Sequence, residues 1–230
     1  MLRDARIVLR PLALLPLLLL AAAAGPRDAS GVYSTAARSI GDSMAWAGAP
    51  GPLTGTARFP SPDRRSTLDI RFVEKGTELD RDFSQRTLFT LNGAAGRVRF
   101  EPGMPLGDIL WSPDSRRVAL SVSGGGLNGV YRLFVASGGK VIDRSTEFSR
   151  RVKLPRACYL RDNLNVGALT WLSQTHLLVV VQPLWEEECA QRADVAFFDY
   201  DVATGRFARV RPAGAALQRY RALFGSVLQR

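Results

Sequence analysis

Histidine is almost absent from this chain, His176 being the only one, and the two cysteines, Cys158 and Cys189, stand 31 positions apart. A zinc site draws three or four His, Cys or carboxylate ligands from close spacings. No such group is present, so no metal is expected. As a general base, His176 needs a partner nucleophile, and no Gly-x-Ser-x-Gly elbow occurs anywhere in the chain. Gly124-Gly125-Gly126 is not followed by the Gly-Lys-Ser/Thr of a phosphate cradle, which leaves no cofactor to expect. Asp80 with Asp82, and Asp199 with Asp201, read as solvated faces of strand or loop.

Lysine is also scarce. Of 31 basic residues only Lys75, Lys140 and Lys153 are not arginine, a bias that genome base composition produces as readily as binding does. The net charge is +10. A polyanion site gathers its charge on one face, because counterion release scales with the phosphates touched together. Here the arginines run through the whole chain, and nucleic acid is not an expected partner.

With 46% hydrophobic and 23% charged residues, 21 Gly and 13 Pro, the rest is ordinary globular material. Residues 1–24 differ. Arg3, Arg6 and Arg10 precede the leucine-rich stretch Pro11 to Leu20, and Ala22-Ala23-Ala24 offers small residues to a signal peptidase. The pattern predicts a signal peptide cleaved after Ala24, a net charge reduced from +10 to +8 and a periplasmic or secreted protein. The competing reading is an uncleaved anchor over Ile7 to Ala24, shortened by Arg10, Pro11 and Pro16. No cysteine lies near the junction, which argues against a lipoprotein.

Beyond the leader the chain alternates short strand-like runs with turn residues. Leu68–Val73, Thr87–Leu91, Arg117–Val122, Val130–Ala136, Leu177–Gln182 and Val195–Tyr200 are rich in β-branched and aromatic residues, which predicts an all-β fold. Repeats organise them. Ser61-Pro62-Asp63-Arg64-Arg65 returns 51 positions later as Ser112-Pro113-Asp114-Ser115-Arg116, each time between two apolar runs. Proline fixes φ and aspartate bonds its own backbone, so each copy predicts a tight turn. A worn third copy, Trp171-Leu172-Ser173-Gln174-Thr175-His176, keeps the aromatic and the polar turn. Second hairpins follow at Gly96-Arg97, Gly139-Lys140 and Gly205-Arg206. The expectation is three four-stranded units near 56–100, 108–144 and 167–210.

At Leu110-Trp111-Ser112-Pro113-Asp114-Ser115-Arg116-Arg117 the chain resembles the WD40-like, TolB-type β-propeller repeat, in which Trp-Ser-Pro-Asp-Gly introduces the second strand of a blade. Ser115 stands where that repeat has glycine, and Pro60 stands where the first copy would have tryptophan. The resemblance covers about two thirds of the chain. It implies an incomplete β-propeller-like array of about three four-stranded blades over 56–212, an envelope location and a protein-binding role. It implies no catalytic residue. A propeller commonly has four to eight blades, so three would leave a wedge whose apolar faces, such as Leu177 to Val181, need a cover: the terminal helix folding back, residues 31–53 supplying another sheet, or two copies joining three blades each into a six-bladed ring.

The flanks read differently. Residues 25–55 are a linker or accessory segment, with a short helix or an extra strand near Ile40 and Trp46. Over 213–230, Ala216, Leu217, Tyr220, Leu223, Phe224, Val227 and Leu228 follow helical spacing and predict a C-terminal amphipathic helix. It suits packing over an open blade; partner docking or contact with a membrane surface are the other readings.

Between the second and third units the basic run Arg150, Arg151, Lys153, Arg156 and Arg161, and beyond it Glu186-Glu187-Glu188, are brought to one end by an antiparallel meander. They either neutralise each other or form a partner-binding surface of Arg156, Tyr159, Arg161 and Trp185. The same meander brings Cys158 and Cys189 together as an expected disulfide. The expected function is an exported, noncatalytic protein-binding or scaffold module of the cell envelope, its partner another envelope protein, with a monomer preferred. The alternatives are a hydrolase with an unrecognised site and a purely structural envelope protein.

Overall fold

The computed structural model describes residues 37–48, 51–76, 83–124, 130–149, 164–183 and 195–211. The leader over 1–24, the cysteine pair and the helix over 213–230 lie outside the described residues. Within them the protein is all-β, built of three antiparallel sheets, none of them closed.

The first sheet runs β2 (Ala45–Ala47), β3 (Thr54–Pro60), β4 (Ser66–Lys75), β5 (Ser84–Gly93) and β6 (Val98–Phe100) in chain order. The second places β1 (Arg38–Ser39) beside β7 (Gly107–Trp111), followed by β8 (Arg117–Ser123), β9 (Tyr131–Ser137) and β10 (Lys140–Asp143). The third is β11 (Leu164–Trp171), β12 (His176–Pro183), β13 (Ala196–Asp201) and β14 (Arg206–Val210). A single helical turn, α1 (Ile40–Ser43), lies between β1 and β2, capped where the Asp42 N–H donates to Ser39 Oγ. The chain thus stitches the second sheet to the first before either meander begins. All six runs singled out for β-branched and aromatic content are strands.

Side-chain alternation explains how the sheets stack. In β3 the burial pattern alternates strictly, with Gly55, Ala57 and Phe59 inward. These join Leu68, Ile70, Phe72, Phe89 and Leu91 in a core shared with Ile109, Trp111, Val118, Leu120 and Val122 of the second sheet. The opposite face of the second sheet, Leu110, Ala119, Leu133 and Val135, packs on Val166, Trp171, Leu177, Val179 and Tyr200 of the third. The middle sheet is therefore buried on both faces, which is why β8 reads as a nearly continuous apolar run.

The repeated Ser-Pro-Asp turns are superimposable in their bonding. In the first, Ser61 Oγ donates to Asp63 Oδ1 at 2.6 Å and accepts from the Ser66 N–H at 3.0 Å. In the second, Ser112 Oγ donates to Asp114 Oδ1 at 2.6 Å and accepts from the Arg117 N–H at 2.9 Å. Each aspartate also accepts the N–H two residues on. Arg64 and Ser115, at corresponding positions, both have φ of 59°, the left-handed region that accounts for glycine in the repeat this motif resembles. The third turn is one residue shorter, and Ser173 Oγ alone accepts the N–H groups of Thr175 and His176.

Hydrogen bonds also cross between sheets. The Asp63 N–H donates to Ser115 Oγ at 3.2 Å, and an Arg117 guanidinium N–H to the Gln174 carbonyl at 3.2 Å, so successive turns lie side by side. Deeper in, Trp171 Nε1 donates to the Leu110 carbonyl at 3.1 Å and the Ala168 N–H to Ser121 Oγ at 2.8 Å. At the far hairpins the Gly138 N–H donates to the Ala95 carbonyl at 2.8 Å. A Cβ on Gly96 would lie 2.0 Å from the Gly139 nitrogen, which is why that approach needs glycine.

Leu177, Val179 and Val181 are buried against the middle sheet, and Leu178 and Val180 are buried on the opposite face. The outer face of the first sheet carries the exposed Arg58, Arg71, Arg86 and Arg99.

Candidate functional site

In the first sheet the period of two that sends Leu68, Ile70 and Phe72 inward sends Asp69, Arg71 and Val73 outward. Register extends this outer face across the sheet. Arg58 is opposite Asp69, Arg71 opposite Leu88, Val73 opposite Arg86, and Thr90 opposite Arg99. Between β4, β5 and β6 these residues line an open cleft of about 570 Å³, formed by Arg71, Val73, Arg86, Leu88, Arg99, Phe100 and Glu101. Val73, Leu88 and Phe100 supply apolar lining, and Arg71, Arg86 and Arg99 supply three guanidinium groups.

Two ion pairs set the charge of this face. Arg58 Nε bonds Asp69 Oδ1 at 2.6 Å, and Arg86 Nε bonds Glu101 Oε1 at 2.8 Å with a second contact through its terminal nitrogen. The hydrogen bond from Arg86 holds the Glu101 carboxyl below its ordinary range, and the same bond raises Arg86. Arg71 and Arg99 make no ion pair among the described residues, which leaves two uncompensated positive charges on an open sheet face. At the strand ends Glu74 accepts the Leu53 N–H at 2.9 Å and a Gln85 amide N–H at 2.8 Å, both of which lower its pKa.

The hydrolase reading turns on His176. The imidazole Nδ1 is 2.7 Å from Asp199 Oδ1, its only side-chain partner among the described residues. Ser173 Oγ is nearby in sequence but accepts two backbone N–H groups at the turn, 3.2 Å and 3.0 Å away. Among the described residues no serine hydroxyl bonds the imidazole, and the pair lies on a partly exposed sheet face rather than in the cleft. Asp201 is occupied locally, held below its ordinary pKa by Thr204 Oγ1 and the Ala203 N–H. Among the described residues no three His, Cys, Asp or Glu side chains are grouped to hold a metal ion.

A second polar cluster is structural. The short helix α2 (Ser145–Ser149) carries Phe148 into the core and presents Glu147 Oε2 to the Tyr200 hydroxyl at 3.1 Å, while Arg144 pairs with Glu147. Burial pushes the Tyr200 hydroxyl well above its ordinary pKa, so it remains a neutral donor. Phe148 packs against Phe198, Tyr200 and Phe207 with ring centroids 5.1 to 5.6 Å apart.

Arg156, Tyr159, Arg161 and Trp185 lie outside the described residues, as do Arg150, Arg151, Lys153 and the Glu186 to Glu188 run. The basic face of the first sheet was not anticipated. Its signal is present as alternation at Arg71, which sits between the buried Ile70 and Phe72, but charge counted along the chain does not reveal charge gathered across strands.

The fold and this face define an all-β protein of three stacked antiparallel sheets with one open, arginine-bearing end. Comparison with family models, curated proteins and solved structures returns no match.

Proposed function

We propose that this protein is an exported, noncatalytic binding module of propeller-like blades, and that it docks an acidic segment of another envelope protein on the outer face of its first sheet. The observation that carries the reading is the open cleft, where Arg71 and Arg99 have no carboxylate partner among the described residues and lie beside the apolar Val73, Leu88 and Phe100. Arginine on a partly apolar floor suits protein recognition: its planar fork takes carboxylates in pairs, and it is enriched among residues that dominate interface energetics.

Three successive antiparallel meanders, two turns bonded alike and face-to-face stacking support the propeller-like reading. The three-part pattern of residues 1–24 supports export. The test is capture from envelope extract by the chain beginning at Gly25. An acidic protein should be retained by the unaltered chain and by an Arg64→Glu control on the turn, and lost with Arg71→Glu combined with Arg99→Glu. Retention unchanged by the double reversal overturns the docking face.

A further inference from the structure

The outer face of the first sheet is a lattice, and register fixes where its charges stand. Leu88 of β5 is opposite Arg71 of β4, Thr90 of β5 is opposite Arg99 of β6, and Arg86 of β5 is opposite Val73 of β4. Neighbouring strands are about 4.8 Å apart and successive residues rise about 3.3 Å. Arg71 and Arg99 are therefore two strands and two residues apart, about 12 Å between backbones. The line joining them crosses β5 between the outward-facing Leu88 and Thr90. Arg71 and Arg86 are one strand and two residues apart, about 8 Å. One carboxylate is already seated on this lattice. Glu101, directly after β6, takes Arg86 through both Nε and a terminal nitrogen. The short-spaced pair of arginines is thus engaged by the chain itself, and the long-spaced pair lines the cleft.

Within the docking role proposed above, on which this rests, we infer that the face reads an extended segment with acidic residues at positions i and i+4 and an apolar residue at i+2, and that Glu101 sets this spacing. In an extended segment i and i+4 point to one side about 13 Å apart, which matches Arg71 and Arg99, and i+2 points to the same side between them, beside Leu88. Acidic residues at i and i+2 are about 7 Å apart. That shorter spacing fits Arg71 with Arg86, and Glu101 disfavours it by holding Arg86. The pair of Arg86 with Glu101 is exposed, its side chains 72% and 44% accessible. Its weight in the choice is that of a surface ion pair, up to about fivefold in affinity.

Two capped peptides of one composition test this by titration against the full chain. Gly-Glu-Ser-Leu-Ser-Glu-Gly places the acids four apart with leucine on their side, and Gly-Ser-Glu-Leu-Glu-Ser-Gly places them two apart with leucine on the opposite side. The first should bind about fivefold tighter, and Glu101→Gln should tighten the second until the two differ by less than about twofold. Equal affinities for the unaltered chain, a preference that Glu101→Gln leaves unchanged, or binding of neither peptide would overturn the inference. Its failure is separable from failure of the docking face. Peptides that bind equally and are both lost with Arg71→Glu combined with Arg99→Glu refute the spacing alone, whereas binding that survives the double reversal refutes the face itself.

Discussion

Two tryptophans at corresponding positions of the second and third sheets differ in one atom's surroundings, and substituting each by phenylalanine isolates that difference. Trp171 is fully buried, and its Nε1–H reaches across to the Leu110 carbonyl at 3.1 Å. Trp111 is 4% exposed, and its buried Nε1–H has no acceptor among the described residues. Either change to phenylalanine forfeits about 1 kcal/mol of apolar burial. Trp171→Phe also removes a net hydrogen bond, which adds about 1 kcal/mol. Trp111→Phe removes a donor that is already unsatisfied, and relief of that desolvation offsets the lost area to within about 1 kcal/mol. Trp171→Phe should therefore be the more damaging by about 2 kcal/mol, read from urea midpoints at equal m-values. Equal losses, or a larger loss at Trp111, would refute the role given to the bond between the middle and third sheets.

Gly96→Ala should destabilise by at least 2 kcal/mol in the same assay, because φ is 116° and the added Cβ meets the Gly139 backbone, which cannot swing away. Arg64→Gly should stabilise by about 0.5 to 1 kcal/mol by relieving the left-handed conformation; Ser115→Gly should gain less, since it also removes the acceptor of the Asp63 N–H. Asp63, Glu74, Glu101 and Asp201 all have folded pKa values below their ordinary 3.8 and 4.5, so the folded state binds fewer protons than the unfolded chain. Their contribution is complete above those ordinary values and is lost as pH falls through the lower folded ones. Thermal midpoints should accordingly hold steady down to about pH 5 and decline below pH 4; a midpoint that rises there would contradict these hydrogen bonds.

The strands were legible because each buries a face, and burial writes period two or a continuous apolar run into the residues. Leu177 to Val181 reads as strand for this reason, and so does Val118 to Val122 in the doubly covered middle sheet. Repetition made β3 and β7 legible as partners, since the Ser-Pro-Asp turn requires a strand on each side. What stayed hidden depends on contacts distant in sequence. β1 joins the second sheet although Gly107, the start of β7, lies 69 positions after Arg38, and nothing local to Arg38-Ser39 carries that choice. Helix α2 is five residues, too short for a period to appear. Leu177 to Val181 is buried on both faces, which writes a continuous apolar run and hides which of its residues face the middle sheet. The basic end escaped notice because Arg71, Arg86 and Arg99 are separated along the chain and meet only through register.

Hydrogen exchange of the chain with its captured partner tests the docking face most directly. Partner binding should protect amides in β4, β5 and β6 (66–75, 84–93 and 98–100) and leave β12 and β13 unchanged. Protection confined to the third sheet or to the turns, with β4 to β6 exchanging as in the free protein, would contradict the assignment of the arginine-bearing face as the binding surface.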